Sequence, residues 1–107
     1  MKIYKKLIRD NIPGIIAKEG KTAEIISLDS ETYLRALKEK LVEEAREVVQ
    51  ATTKEEILSE LADIQEVMDA LKEEYFIEQH EVNMTQAVKA IRNGKFTKRL
   101  FLVSVEE

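Results

Sequence analysis

Two long stretches of this chain repeat apolar residues every three or four positions, the spacing of one face of a helix. The first runs from Asp29 or Ser30, either of which can cap it, to about residue 51. Its apolar positions are Leu34, Leu37, Leu41, Ala45 and Val48. The second restarts at Thr53, where Glu56 three residues on completes a capping-box pattern. A turn at 52–53 is too short for anything but an antiparallel pair of neighbouring helices. Upstream, "DNIPGIIAKEG" (10–20) predicts a short helix capped by Asp10 or Asn11, with Pro13 in its first turn and Gly20 just past its end. Downstream, a last helix is expected over about 79–93, stopped at Gly94. Two β-branched, apolar segments stand out: "TAEIISL" (22–28) reads as a strand or an extended connector, and "RLFLVSV" (99–105) as a strand for which 22–28 is the candidate neighbour. The expectation is a mainly α fold, an antiparallel helical bundle in a single domain spanning residues 1–107.

Composition supports that picture and narrows the chemistry. Of 107 residues, 36% are charged and 44% hydrophobic, with three glycines and one proline, a mixture suited to amphipathic helices. Cysteine is absent, which removes disulfides and thiolate metal sites and fits a cytoplasmic setting. No apolar run approaches the roughly 18 to 20 residues of a membrane span, and the basic start "MKIYKKLIRD" lacks the apolar core of a signal peptide. The net charge of −4 argues against a binder of nucleic acid polymers. The charge is unevenly spread. Lys2, Lys5, Lys6 and Arg9 crowd the start, Lys89, Arg92, Lys95, Lys98 and Arg99 crowd the end, and the middle is acidic. That distribution is either a solvated dipolar surface or a set of phosphate ligands flanking a set of metal ligands.

The acids in the middle can be placed by angle. With Leu37 at zero and about 100° per residue, Val48, Leu41, Leu34 and Ala45 fall between about 20° and 80° and define the buried face of the first long helix. Glu44 falls near −20°, roughly within that arc; Glu47 lies near −80° at its edge and Glu43 near −120°, facing out. With Ile57 at zero in the second helix, Met68, Leu61, Ile64 and Leu71 cluster within about 40°; Glu60 lies near −60° and Asp63 near −120° on the same flank. Each helix thus carries an i, i+3 acid pair on or beside its buried face, and antiparallel neighbours bring the pairs together. Buried carboxylates without partners are costly or protonate. Magnesium, a hard ion that takes oxygen ligands, resolves the conflict; acids paired with lysine on a solvated surface are the other reading. A metal that prefers imidazole is disfavoured by a single histidine, His80.

"EEAREVV" (43–49) followed by "ELAD" (60–63) resembles the ExxE…ExxD signature of the all-α nucleotide pyrophosphohydrolases, the superfamily of the MazG-like enzymes, dimeric dUTPases and phosphoribosyl-ATP pyrophosphohydrolase. The opening "YKKLIRDNIP" and closing "GKFTKRLFL" look like its phosphoribosyl-ATP pyrophosphohydrolase-like subgroup, so the resemblance spans almost the whole chain. It implies that Glu44, Glu47, Glu60 and Asp63 hold magnesium, which polarises the phosphates and lowers the pKa of an attacking water. The implied reaction splits a nucleoside triphosphate into monophosphate and pyrophosphate, plausibly as house-cleaning. Glu47, at the arc's edge, is the choice for general base. Lys6, Arg9, Lys89, Arg92 and Arg99 are the cations expected to meet the triphosphate. The superfamily assembles from two or more subunits, which implies a homodimer or homotetramer. Two alternatives stand beside this reading: phosphoribosyl-ATP hydrolysis in histidine biosynthesis, which the "KKLIRDNIP" segment disfavours, and a non-catalytic helical assembly or partner-binding module.

Overall fold

A computed structural model describes residues 1–106. The chain is mainly helical, with four helices and no strand among the described residues. It divides into two compact units, Met1–Tyr75 and a second that begins at Phe76.

In the first unit, α1 spans Ile12–Lys18, with Asn11 at its N-cap and Pro13 in its first turn, where a missing N–H removes nothing from the helix. Gly20, at φ 76°, lies just beyond the cap residue Glu19, in a left-handed conformation that costs glycine little. Residues 21–29 then run without regular structure. α2 spans Ser30–Gln50, and the Asp29 carboxylate caps it by accepting a hydrogen bond from the Thr32 N–H at 2.8 Å. Accepting that bond, together with one from the Thr32 side chain, holds the Asp29 carboxyl below its ordinary pKa. After residues 51–53, α3 spans Lys54–Glu74. The Thr53 hydroxyl accepts from the Glu56 N–H at 3.1 Å and donates to the Glu56 carboxylate at 3.0 Å.

The pairing of α2 with α3 supplies the core of this unit. Leu37 (2% exposed) and Val67 are the buried apolar side chains among the described residues, and Leu34, Leu41, Val48, Ile57, Ile64 and Leu71 are half-buried around them. Ala45, expected inside, is exposed. In α3 the buried face is turned from the expected one. Leu61 and Met68 are exposed at 49% and 39%, while Val67 is buried and Glu60 half-buried. The true centre of the face therefore lies near Glu60 itself, roughly −50° on the scale that sets Ile57 at zero.

The expected strands at 22–28 and 99–105 do not form. Ile25 and Ile26 are exposed in the first segment; Leu100, Phe101, Leu102, Val103 and Val105 are exposed in the second. A β-branched run becomes a strand only when a partner takes up its N–H and C=O groups, and neither segment has one.

In the second unit, α4 spans Gln79–Asn93. The Glu78 N–H donates to the Glu81 carboxylate at 2.8 Å at its start, and Gly94 at φ 83° ends it. An open apolar groove of about 1040 Å³ runs along α4 past Ile77, Val82, Ala90 and Phe96.

Candidate metal centre

Three carboxylates converge between α2 and α3. One oxygen each from Glu44, Glu60 and Asp63 lies within 4.8 Å of the others. Glu44 is 9% exposed, the most buried charged residue among those described, and Glu60 and Asp63 are half-buried. The sequence places them so because Glu44 shares the Leu37–Val48 arc of α2, while Glu60 and Asp63 stand one turn apart on α3. The antiparallel pairing then sets Glu44 opposite Glu60.

Glu60 carries the tension of this arrangement. Its Oε2 atom is buried with no hydrogen-bond partner. Burial first, then contact with the Glu44 carboxyl and the charges of Glu44, Asp63 and Glu47, push the Glu60 carboxyl above its ordinary pKa. An orphaned buried oxygen is uncommon in native folds and calls for a partner.

Glu47 stands apart from the converging trio. It is exposed, and it lines a concavity of about 290 Å³ with Gln50, Ala51, Glu56, Ser59 and Glu60. It therefore opens onto the same space as Glu60 without sharing the convergence point. Glu43, expected to face out, is half-buried among cations instead, with Lys40 Nζ at 3.1 Å and Lys6 Nζ at 4.0 Å.

The positive charge around the site comes from two directions. Lys40, which the sequence reading passed over, reaches Glu44 at 3.6 Å as well as Glu43; its i, i+3 and i, i+4 spacing to these acids was the available signal. Arg9, from the segment before α1, donates Nη2 to Asp63 Oδ1 at 2.6 Å and sets Nη1 3.6 Å from Glu66. Of the cations expected to bind phosphate, Lys6 and Arg9 thus sit beside the acids. Lys89, Arg92 and Arg99 belong to the second unit and are exposed there, Lys89 on the rim of the α4 groove. His80 is exposed, with Nδ1 3.3 Å from the Glu78 carboxylate.

The donor set suits a hard divalent cation. It consists of carboxylate oxygens alone, the ligand type such an ion prefers. Oxygens within 4.8 Å of one another are near enough for side-chain rotation to bring them onto one ion. Among the described residues, no helix is long and apolar enough to cross a membrane. No protein-family model, curated protein or solved structure matches this chain.

Proposed function

We propose that the chain is a magnesium-dependent nucleotide pyrophosphohydrolase that releases a nucleoside monophosphate and pyrophosphate. The observation that carries this reading is the convergence of the Glu44, Glu60 and Asp63 oxygens around a buried Glu60 oxygen with no partner of its own. The resemblance of "EEAREVV…ELAD" and of both ends of the chain to the MazG-like superfamily gives the reaction class. The cytoplasm is the setting in which such nucleotides arise.

Glu44, Glu60 and Asp63 would hold the ion, and Glu47, which lines one concavity with Glu60, would be its nearest further carboxylate. When bound, magnesium polarises the phosphate oxygens and offsets the charge that develops on them. The residues of the chain do the rest. Water attacks the α-phosphorus, the bond to the bridging oxygen breaks, and pyrophosphate leaves. Glu47, exposed on the concavity it shares with Glu60, accepts the proton of that water in this reading. Lys6 and Arg9 supply positive charge to the phosphates from the same side of the helix pair. Glu44, buried and braced by Lys40, keeps its orientation throughout.

The same reading includes a second copy of the chain. The flank of the helix pair opposite the acids exposes Val42 and Val49 from α2 and Leu58, Leu61 and Met68 from α3. A homodimer or homotetramer covers that surface.

The test is a panel of nucleoside triphosphates together with phosphoribosyl-ATP, with and without magnesium, reading both monophosphate and pyrophosphate. Wild type is expected to release both products only with magnesium. Removing partners one step further from a metal already costs 10–100-fold, so Glu44→Gln should lower the rate by at least about 100-fold. Release from phosphoribosyl-ATP alone would assign the histidine-pathway reaction. No turnover of any member by folded, magnesium-loaded wild type would favour the non-catalytic helical module.

A further inference from the structure

Arg9 and the ion proposed above claim the same carboxylate. Asp63 Oδ1 accepts a hydrogen bond from the Arg9 guanidinium at 2.6 Å, a short, charge-assisted contact. Asp63 is also one of the three converging carboxylates. A guanidinium and a divalent cation on one carboxylate repel each other, so the two compete for Asp63. Lys40 differs. It rises from α2 itself, its side chain is 18% exposed, and its shorter contact is to Glu43, outside the trio. The Arg9 side chain is 55% exposed and hangs from residues 1–9, which have neither helix nor strand. It can swing into solvent without disturbing the helix pair, and an ion pair this exposed yields readily.

We propose that Arg9 is a displaceable counter-ion latch. It holds Asp63 while no metal is bound, leaves that oxygen when a divalent cation enters, and is thereby freed to pair with the phosphates that accompany the cation. This rests on the metal reading of the trio. It adds that loading of the site and recruitment of phosphate are linked through one side chain. Arg9 acts here as a positioning residue, and its effect is read on metal binding with no nucleotide present.

The test titrates Mn²⁺ alone into the full chain, by calorimetry or paramagnetic resonance, for wild type, Arg9→Ala, Arg9→Lys and Lys6→Ala. Arg9→Ala is expected to bind Mn²⁺ about fivefold more tightly, the factor that corresponds to an exposed ion pair of about 1 kcal/mol. Arg9→Lys, which keeps the charge but loses the fork, should gain less. Lys6→Ala, which removes a charge that does not touch Asp63, should change little. On wild type, the side-chain N–H resonance of Arg9 should shift saturably as Mg²⁺ is added, a readout that needs no variant. Equal or weaker binding by Arg9→Ala, or the same gain in Lys6→Ala, would overturn the latch and leave the metal site standing. An Arg9 resonance indifferent to Mg²⁺ would also overturn it. Absence of Mn²⁺ binding in wild type and all variants would remove both the metal site and the latch.

Discussion

At Glu60 the fold buries a carboxyl oxygen with nothing to bond and presses a second carboxyl, that of Glu44, against it. The sign of the consequence follows from the raised pKa. The folded chain keeps the Glu60 proton to a higher pH than the unfolded chain does, so it binds more protons between the ordinary and the raised value. Stability therefore falls as pH rises through that interval. Glu60→Gln should abolish the slope. Without divalent ion, the variant should melt above wild type at pH 7, and the two should converge below the ordinary carboxyl value, where Glu60 is neutral in both states. Magnesium should reverse the order, because it stabilises only the form that binds it. Thermal unfolding followed across pH, with chelator and with magnesium, checks both halves. A variant that melts below wild type at pH 7 in chelator would show that the charge at Glu60 is no burden. At this scale the sequence told much. Glu44, Glu60 and Asp63 were readable because an i, i+3 spacing fixes angles. Glu47 was the marginal member at the arc's edge, and it is the one the convergence leaves out. The partner of Arg9 was not readable, because 54 residues separate it from Asp63 and no local rule spans that distance.

The helices α2 and α3 begin where their capping side chains put them. Thr53 is tied twice to Glu56, so Thr53→Ala should cost about 1 kcal/mol, with Thr53→Ser recovering most of it. Denaturant midpoints at constant slope are the measurement; a loss under a few tenths would mean that the cap contributes little to the helix pair. Caps of this kind depend on three or four neighbouring residues, which is why the starts of α2 and α3 are legible along the chain. The strands expected at 22–28 and 99–105 are absent, 22–28 being the connector instead, for the converse reason. Ladder pairing is a property of two segments, and apolar β-branched composition describes only one at a time. The rotation of α3 has a similar origin. Its apolar stripe is broad enough to offer two faces, running from Val67 through Ile57 to Leu61, and composition alone does not say which edge meets α2. The face chosen turns Glu60 inward and leaves Leu61 and Met68 outside.

For the molecule as a whole, buried apolar side chains are few and exposed ones many. Chains of this length usually bury a larger share of what they carry, and an apolar flank left bare on a helix pair is a place for another chain. If a second copy takes it, Leu61→Glu on that flank should split the assembly into monomers while the helix content stays unchanged. Light scattering coupled to gel filtration reads the mass, and circular dichroism reads the helix. A wild type that is monomeric at every concentration would dispose of the assembly. The link at residues 51–53 between α2 and α3 has a consequence of its own. Every member of the carboxylate trio lies on one side or the other of that link, so only a small ring of chain need close to bring them together. The entropy lost in closing it is correspondingly modest, and contacts of such short range tend to form early in folding. The chain can thus bring its carboxylate trio together before its more distant parts have found their places, and on the proposed metal reading a cation present at that moment would act as a template for the hairpin.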